Sequence, residues 1–378
     1  MTFFQKRLLR RLHLSLALPL ALGLILLGLS GSILVYIDEL DTALNPELLQ
    51  LSGNVDTPFQ ATDVLPLLEQ LQADPAYSGV SMLELPSHEQ APLTAWYRAG
   101  STDNMARRQI MINPYTGAVL GSRIWGEIGL TRAHLMPMLF HLHRYLLAGE
   151  IGKTLVAING IGLALLAVSG LILWWPQGQY VVWRRALTMV CRGSWKHVSF
   201  RFHRAAGFYF SPLLLMLAMS GIYFNKPHWI APLLNAVWPA AEARKVYRDV
   251  SPTHRHIARE EVLYVALKHA QELFPDAKIT RIVLPSERVN QYEIRLRQEQ
   301  ELRLGAGATR VYFDAANADI VRLVDPLMAS GSERLLGYFF PLHSGQAGGE
   351  FGRILISLCG LMPLLLAVSG IVVWIKRR

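Results

Sequence analysis

Four stretches of this chain are apolar over lengths that a soluble domain seldom needs: Leu12 to Ile37, Lys153 to Trp175, Ala205 to Phe224 and Arg353 to Ile375. A helix crosses the hydrocarbon core of a bilayer with about 20 apolar residues, and each stretch is long enough. A segment in lipid must satisfy its own backbone, so helices are the form expected. Composition agrees: 17% of the 378 residues are charged, against about 25% in soluble domains. The first stretch follows Lys6, Arg7, Arg10 and Arg11 as a signal peptide would. Its apolar core is too long for one, however, and Ser30-Gly31-Ser32-Ile33 offers no small-residue cleavage site, so it reads as a retained anchor.

Basic residues set the orientation. Arg184, Arg185, Arg192, Lys196 and Arg201 lie between the second and third stretches, and the chain ends Lys376-Arg377-Arg378. The segments from Asp38 to Arg132 and from Asn225 to Glu350 carry both signs. Short basic segments stay inside, which predicts a cytoplasmic N-terminus, middle loop and C-terminus, with both long segments on the outer face. Trp174, Trp175, Trp183 and Trp374 fit an aromatic belt at the inner interface. The net charge of +9 is thus spent on topology, not on nucleic acid. Two cysteines, Cys191 and Cys359, cannot hold an iron–sulfur cluster or a disulfide framework.

The chain repeats itself. Leu165-Leu166-Ala167-Val168-Ser169-Gly170 recurs 200 positions later as Leu365-Leu366-Ala367-Val368-Ser369-Gly370, and His143, Gly149, Glu150 and Gly152 recur as His343, Gly349, Glu350 and Gly352. The first and third helices match at an offset of 190, His13 with His203 and Ser30-Gly31 with Ser220-Gly221. In each outer segment a helical stretch (Asp63 to Gln72; Arg259 to Phe274) precedes an alternating strand that ends at Leu85 or Leu284. Two further strands follow, Leu93 to Arg98 and Arg108 to Ile112, or Gln291 to Arg297 and Thr309 to Phe313. Asn113-Pro114-Tyr115-Thr116-Gly117 is a turn signal.

These features predict an integral membrane α-helical fold: four transmembrane helices in a duplicated 2+2 parallel repeat, with two outer α+β units. The boundaries expected are a first helix within 1–37, an outer unit over 38–140 and a second helix with its histidine segment over 141–175. A cytoplasmic loop (176–202), a third helix (203–224), a second outer unit (225–340) and a fourth helix with its histidine segment (341–378) complete the plan. Halves of like orientation are related by an axis along the membrane normal, so equivalent residues face each other at one depth.

Four of the 12 histidines occupy equivalent positions. His13 and His203 open the first and third helices, and His143 and His343 precede the second and fourth. Two facing imidazoles are what a six-coordinate b-type haem requires, and bundle cores house such cofactors. Gly28, Ser30, Gly31, Gly160, Gly162, Ser169, Gly170, Ser220, Gly221, Ser369 and Gly370 either admit a flat macrocycle or serve close helix packing. The alternative is four interfacial rings that reach the headgroups. His143 lies ten residues before Lys153, roughly 15 Å along a continuous helix, so a break at Gly149 and Gly349 is needed to fold it inward. His141, His134 and His197 are near enough to replace a ligand, although Pro341 stands where His141 repeats. His88, His228, His254, His256 and His269 read as solvated. Glu150 and Glu350 either cap their helices or face a ferric centre.

No nicotinamide, flavin, Walker or zinc-protease motif occurs, and Gly305-Ala306-Gly307 reads as a hairpin turn. An electron donor would therefore dock from outside the chain, as a membrane quinol or a cytoplasmic flavoprotein.

Leu142-His143-Arg144, Phe202-His203-Arg204, Pro341-Leu342-His343-Ser344-Gly345 and the Ser-Gly pairs of all four helices resemble the PepSY-associated transmembrane family of bacterial inner-membrane proteins. Within it the chain is most similar to siderophore-iron reductases such as ferrioxamine reductase. The first helix departs from the pattern, reading Leu12-His13-Leu14 without the following Arg. The resemblance implies periplasmic PepSY-like units and two haem b groups, with His13, His203, His143 and His343 as axial ligands. It also implies an oxidoreductase that passes electrons to a periplasmic ferric siderophore and releases Fe(II). Trp96, Tyr97, Tyr115 and Trp125 would either offer apolar contact for that substrate or, as is commoner for such aromatics, pack in the core. The rival expectation is a non-enzymatic periplasmic binding or sensor module anchored in the membrane.

Overall fold

The computed structural model describes residues 3–52, 58–77, 79–98, 106–176, 180–189, 192–239 and 261–375. Its helices, in chain order, are α1 (Phe3–Leu34), α2 (Ile37–Leu44), α3 (Pro46–Leu49), α4 (Val64–Ala73), α5 (Arg132–Tyr145), α6 (Gly149–Trp174), α7 (Tyr180–Leu187), α8 (Trp195–Asn225), α9 (Pro227–Val237), α10 (Val262–Leu273), α11 (Gly331–His343) and α12 (Gly349–Ile375). The strands are β1 (Val80–Glu84), β2 (Leu93–Arg98), β3 (Arg107–Ile112), β4 (Val119–Trp125), β5 (Lys278–Val283), β6 (Gln291–Arg297), β7 (Thr309–Asp314) and β8 (Ile320–Val324). They form two units: Met1–Tyr36, Leu139–Leu233 and Leu342–Arg378 make a helical one, and Ile37–Met138 with Leu234–Pro341 makes one built on a sheet.

In the helical unit α1, α6, α8 and α12 are long and apolar enough to span a membrane, as the hydropathy predicts. They pack in the cyclic order α1–α6–α8–α12, each against two neighbours. Where α1 meets α12, a Cβ on Gly28 would stand 2.3 Å from the Gly360 carbonyl oxygen, so the backbones approach as only glycine allows. One turn away Ser32 Oγ donates to the Ser357 carbonyl at 2.7 Å, and Ser357 Oγ returns a bond to the Ser32 carbonyl at 3.1 Å. Trp174 is buried at the end of α6, stacked 3.9 Å from Phe208 and edge-on to Trp183. It belongs to the packing of α6 on α8, while Trp175 is exposed.

All four long helices begin before their apolar stretches, α1 and α8 by the most. The third starts at Trp195, where Ser194 Oγ accepts from the His197 backbone N–H and closes the N-terminus. His203 therefore lies more than two turns inside α8, and His13 lies well inside α1; neither opens its helix. Lys and Arg residues in these first turns do not end a helix, because their long stems let the charge reach water.

The sheet unit has one eight-stranded antiparallel sheet in the order β4-β3-β2-β1-β5-β6-β7-β8. The two sequence segments that supply it meet at β1 and β5, where Leu83 pairs with Ile282. Helices α4 and α10 cover one face, so Val64, Leu67 and Leu71 share a continuous core with Leu83, Ala95, Ile110, Val262, Ile282, Ile294, Val311 and Phe313. The Asn113 turn forms as its sequence predicts: Asn113 Oδ1 accepts from the Tyr115 and Thr116 N–H groups, and Gly117 takes φ +72°. Gly305 and Gly307 turn between β6 and β7, both at positive φ. Trp96 and Tyr97 are buried, and Trp125 packs edge-on against Trp96 at 5.7 Å. Trp96 and Tyr97 are part of the core, Trp125 is half-buried and Tyr115 is exposed.

Candidate functional site

The histidine segments reach the bundle because the backbone reverses after each. After α5 the chain places Leu146 and Leu147 at φ +46° and +56°, then Gly149 at +53°; after α11 the same work falls to Gly345 at +80° and Gly349 at +57°. The turns are so tight that a Cβ on Gly152 would sit 1.5 Å from the Tyr145 carbonyl, and one on Gly352 would sit 2.3 Å from that of Gly345. The expected break is therefore present, and it folds His143 and His343 against the long helices.

Each of the four imidazoles then docks on a Ser-Gly pair of a neighbouring helix. His13 Nδ1 lies 2.8 Å from Ser169 Oγ, and His143 Nδ1 lies 3.2 Å from Ser30 Oγ and 3.0 Å from the Leu27 carbonyl. His203 Nδ1 meets Ser369 Oγ at 3.1 Å and the Leu366 carbonyl at 3.0 Å, while His343 Nδ1 meets Ser220 Oγ at 2.7 Å. The glycine beside each serine makes room for the ring. A Cβ on Gly31 would stand 2.8 Å from His143 Cε1, on Gly370 3.2 Å from His203 Cε1, on Gly170 3.6 Å from His13 Cε1, and on Gly221 3.9 Å from His343 Cε1.

The hydrogen bonds fix the tautomer. A carbonyl oxygen only accepts, so the Nδ1 atoms of His143 and His203 carry the hydrogen. Every one of the four serines donates its own hydroxyl to a carbonyl of its own helix: Ser30 to Leu26, Ser169 to Leu166, Ser220 to Met216 and Ser369 to Leu365. Each hydroxyl oxygen is thereby left to accept from Nδ1–H. All four neutral rings keep a lone pair on Nε2, and no hydrogen bond to that atom occurs among the described residues. A second hydrogen bond that orients the ring and holds the far nitrogen ready is the usual support of a metal-binding histidine.

The structure brings together the outer pair expected by equivalence. The rings of His143 and His343 have centres 6.1 Å apart, with Phe224 edge-on to His343 at 5.3 Å. His13 and His203 sit on α1 and α8, each ring docked on a Ser-Gly pair of a neighbouring helix. With a metal–imidazole bond of about 2.0–2.1 Å and a ring centre about 1.1 Å behind its nitrogen, two axial imidazoles on one iron have centres about 6.3 Å apart. The separation of the outer pair fits that span. Among the described residues no three His, Cys, Asp or Glu side chains converge as a metal cage. Donors that come in twos suit a group that brings its own equatorial nitrogens.

Of the other candidates, His134 and His141 have neighbours of their own. Both ring nitrogens of His134 have partners, Thr131 Oγ1 at 2.7 Å and Glu127 at 3.2 Å. His141 is buried against Tyr145, 5.0 Å between ring centres, and burial with the nearby Arg144 charge lowers its pKa to about 4. His197 sits in the first turn of α8. His254 and His256 lie outside the described residues. Glu150 and Glu350 pair with Lys153 and with Arg353 (2.7 Å) in the first turns of α6 and α12, which accounts for their recurrence without a cofactor. The second function of the small residues was also legible only in part: Gly28 and Gly360 serve helix packing, whereas Gly31, Gly170, Gly221 and Gly370 lie under imidazoles.

A family model described as the PepSY-associated TM region matches residues 10–377. No curated protein matches the sequence.

Proposed function

The chain is a membrane protein of the PepSY-associated transmembrane family, and on that premise we propose that it is a di-haem inner-membrane reductase that delivers electrons to a ferric siderophore in the periplasm. The observation that carries the reading is the fourfold device of Nδ1–H held by a Ser-Gly pair with Nε2 left as a lone pair. The recurrence of that device in α1/α6 and α8/α12 supports a 2+2 duplication, with one imidazole of each pair from each half.

The distribution of basic residues supports cytoplasmic termini and a cytoplasmic middle loop, and so a periplasmic sheet unit of PepSY type. His143 and His343 would hold the outer haem b, and His13 and His203 the inner one. The bound haems would supply reversible one-electron chemistry, with quinol or a cytoplasmic flavoprotein as donor. The chain's own residues do the positioning. The serines orient the rings and raise their basicity as ligands, the glycines allow the rings to lie flat on the helices, and the apolar helix surfaces exclude water. Reduction favours release because ferric iron, a hard acid, holds oxygen-donor chelators more tightly than ferrous iron does.

Visible spectra of the detergent-purified chain, oxidised and dithionite-reduced, test this directly. The expected result is two haem b per chain, falling to about one on His343→Ala or His203→Ala. A colourless protein from haem-sufficient cells would sink the reductase reading and leave a periplasmic binding or sensor module in its place.

A further inference from the structure

The face of the sheet opposite α4 and α10 carries a row of arginines. In register across β5, β6 and β7, Arg281 pairs with Arg295 and Arg295 with Arg310. Three guanidinium groups thus rise side by side from neighbouring strands, an arrangement that by itself destabilises a sheet. A fourth, Arg303 from the β6–β7 connection, has its guanidinium 4.3 Å from the centre of the Phe340 ring and feels the charge of the other three.

The acceptors nearby do not balance these donors. Glu84 takes Arg281; Glu293 takes Arg295 at 2.8 Å and stands 3.8 Å from Arg310. The third carboxylate, Glu301, is consumed by its own loop, accepting from the backbone N–H groups of Gln298, Ala308 and Thr309 and from Thr309 Oγ1. Arg303 has neither a hydrogen bond nor an ion pair among the described residues. The Nε–H groups of Arg281, Arg295 and Arg310 are buried without an acceptor, and Arg295 is only 9% exposed. Burial, with Arg295, Arg310 and Arg281 adding their charge, pulls Arg303 down to about 10. Four cations against three anions, with three buried donors unmatched, make a local environment that favours added negative charge. Buried N–H donors cost free energy until an acceptor meets them.

We infer that Arg281, Arg295, Arg303 and Arg310 form a binding site for the oxyanion groups, carboxylate or phosphate, of a small soluble anion. Guanidinium forks match such groups two hydrogen bonds at a time. A small molecule suits the row better than a lipid surface does, because Arg295 at its middle is covered. The inference stands on the sheet unit alone and does not need the haem reading.

The test uses the full chain in a neutral detergent, titrated by calorimetry with citrate and with inorganic phosphate at fixed ionic strength, and with vesicles rich in anionic lipid. Saturable binding of citrate or phosphate is expected, and whichever binds identifies the group recognised. Arg303→Gln and Arg310→Gln should each weaken that binding by about tenfold or more, while Arg288→Gln in the β5–β6 turn should not. Thermal unfolding supplies a second readout. Without anion Arg310→Gln should leave the midpoint unchanged or raise it, since a like-charge neighbour is gone, and it should abolish the rise that citrate gives the parent. No saturable binding of either anion, binding indifferent to both variants, or binding to vesicles alone would overturn the inference.

Discussion

The two histidine pairs use one hydrogen-bonding device on two different carriers. His13 and His203 sit inside the uninterrupted helices α1 and α8, so helical register alone decides where their rings point. His143 and His343 sit at or near the ends of α5 and α11, short helices that approach the bundle only through a backbone reversal. The first carrier is rigid by construction. The second is only as secure as its turn, and the two turns are built differently: two leucines in the left-handed region after His143, glycine after His343. A histidine ring can therefore be held with the same polar partners whether its backbone is continuous or folded back. The folded-back pair is the one that loop chemistry can break.

The largest expected effect comes from the turn. Gly152→Ala puts a Cβ where the Tyr145 carbonyl stands, an overlap that no rotamer change relieves, and should cost at least 1–3 kcal/mol. On the proposed di-haem function it should remove the outer haem from the reduced spectrum while the inner one stays; loss of both, or of neither, would erase the distinction between the carriers. Next is the seat of the ring. Gly31→Ala, with its Cβ at 2.8 Å from His143, should displace that imidazole, whereas Gly221→Ala at 3.9 Å from His343 should be tolerated. Haem content of the two variants measured side by side decides it.

Smaller effects follow from the hydrogen bonds. Ser220 is the one partner found for His343 Nδ1, while His143 keeps the Leu27 carbonyl if Ser30 is lost. Ser220→Ala should then weaken haem retention by about 10-fold or more, and Ser30→Ala by less, as read from haem loss to an acceptor protein. The smallest effect concerns strain. Leu147→Gly should raise the thermal midpoint slightly, because it relieves a side chain held at φ +56°, a conformation that costs roughly 1–2 kcal/mol. The entropy glycine adds to the unfolded chain offsets part of this. Gly345→Ala should move the midpoint the other way and by much more, because its Cβ would also stand 2.6 Å from the Gly352 carbonyl oxygen.

Much of this architecture is legible in the sequence. The four apolar stretches became four long helices, β2 and β6 run over the residues their alternation marks, and the equivalence of His143 with His343 anticipated two rings 6.1 Å apart. Edge strands escaped notice: β4 reads Val119-Leu120-Gly121-Ser122-Arg123-Ile124-Trp125, and its buried Arg123 breaks the alternation because Asp41 neutralises it at 2.7 Å. The role of the Ser-Gly pairs was read as packing or cofactor space, and the serine–imidazole bonds were missed. A signal for them existed, since each pair recurs together with its histidine, but recurrence does not say which helix faces which.

The sequence by itself determined the membrane-spanning helices, the periodicities of the strands and the recurrence of the four histidines with their Ser-Gly pairs, because each is local hydrophobicity, backbone preference or a pattern of residue types. Only the tertiary structure decided that the two outer segments close into one sheet through β1 and β5. It also decided that each serine accepts from a histidine more than 100 positions away and that four arginines from β5, β6, β7 and a loop gather on one face. Those outcomes depend on which surfaces meet, and the free energy of a meeting lies in shape, shared burial and matched donors across distant parts of the chain, none of which a local pattern records.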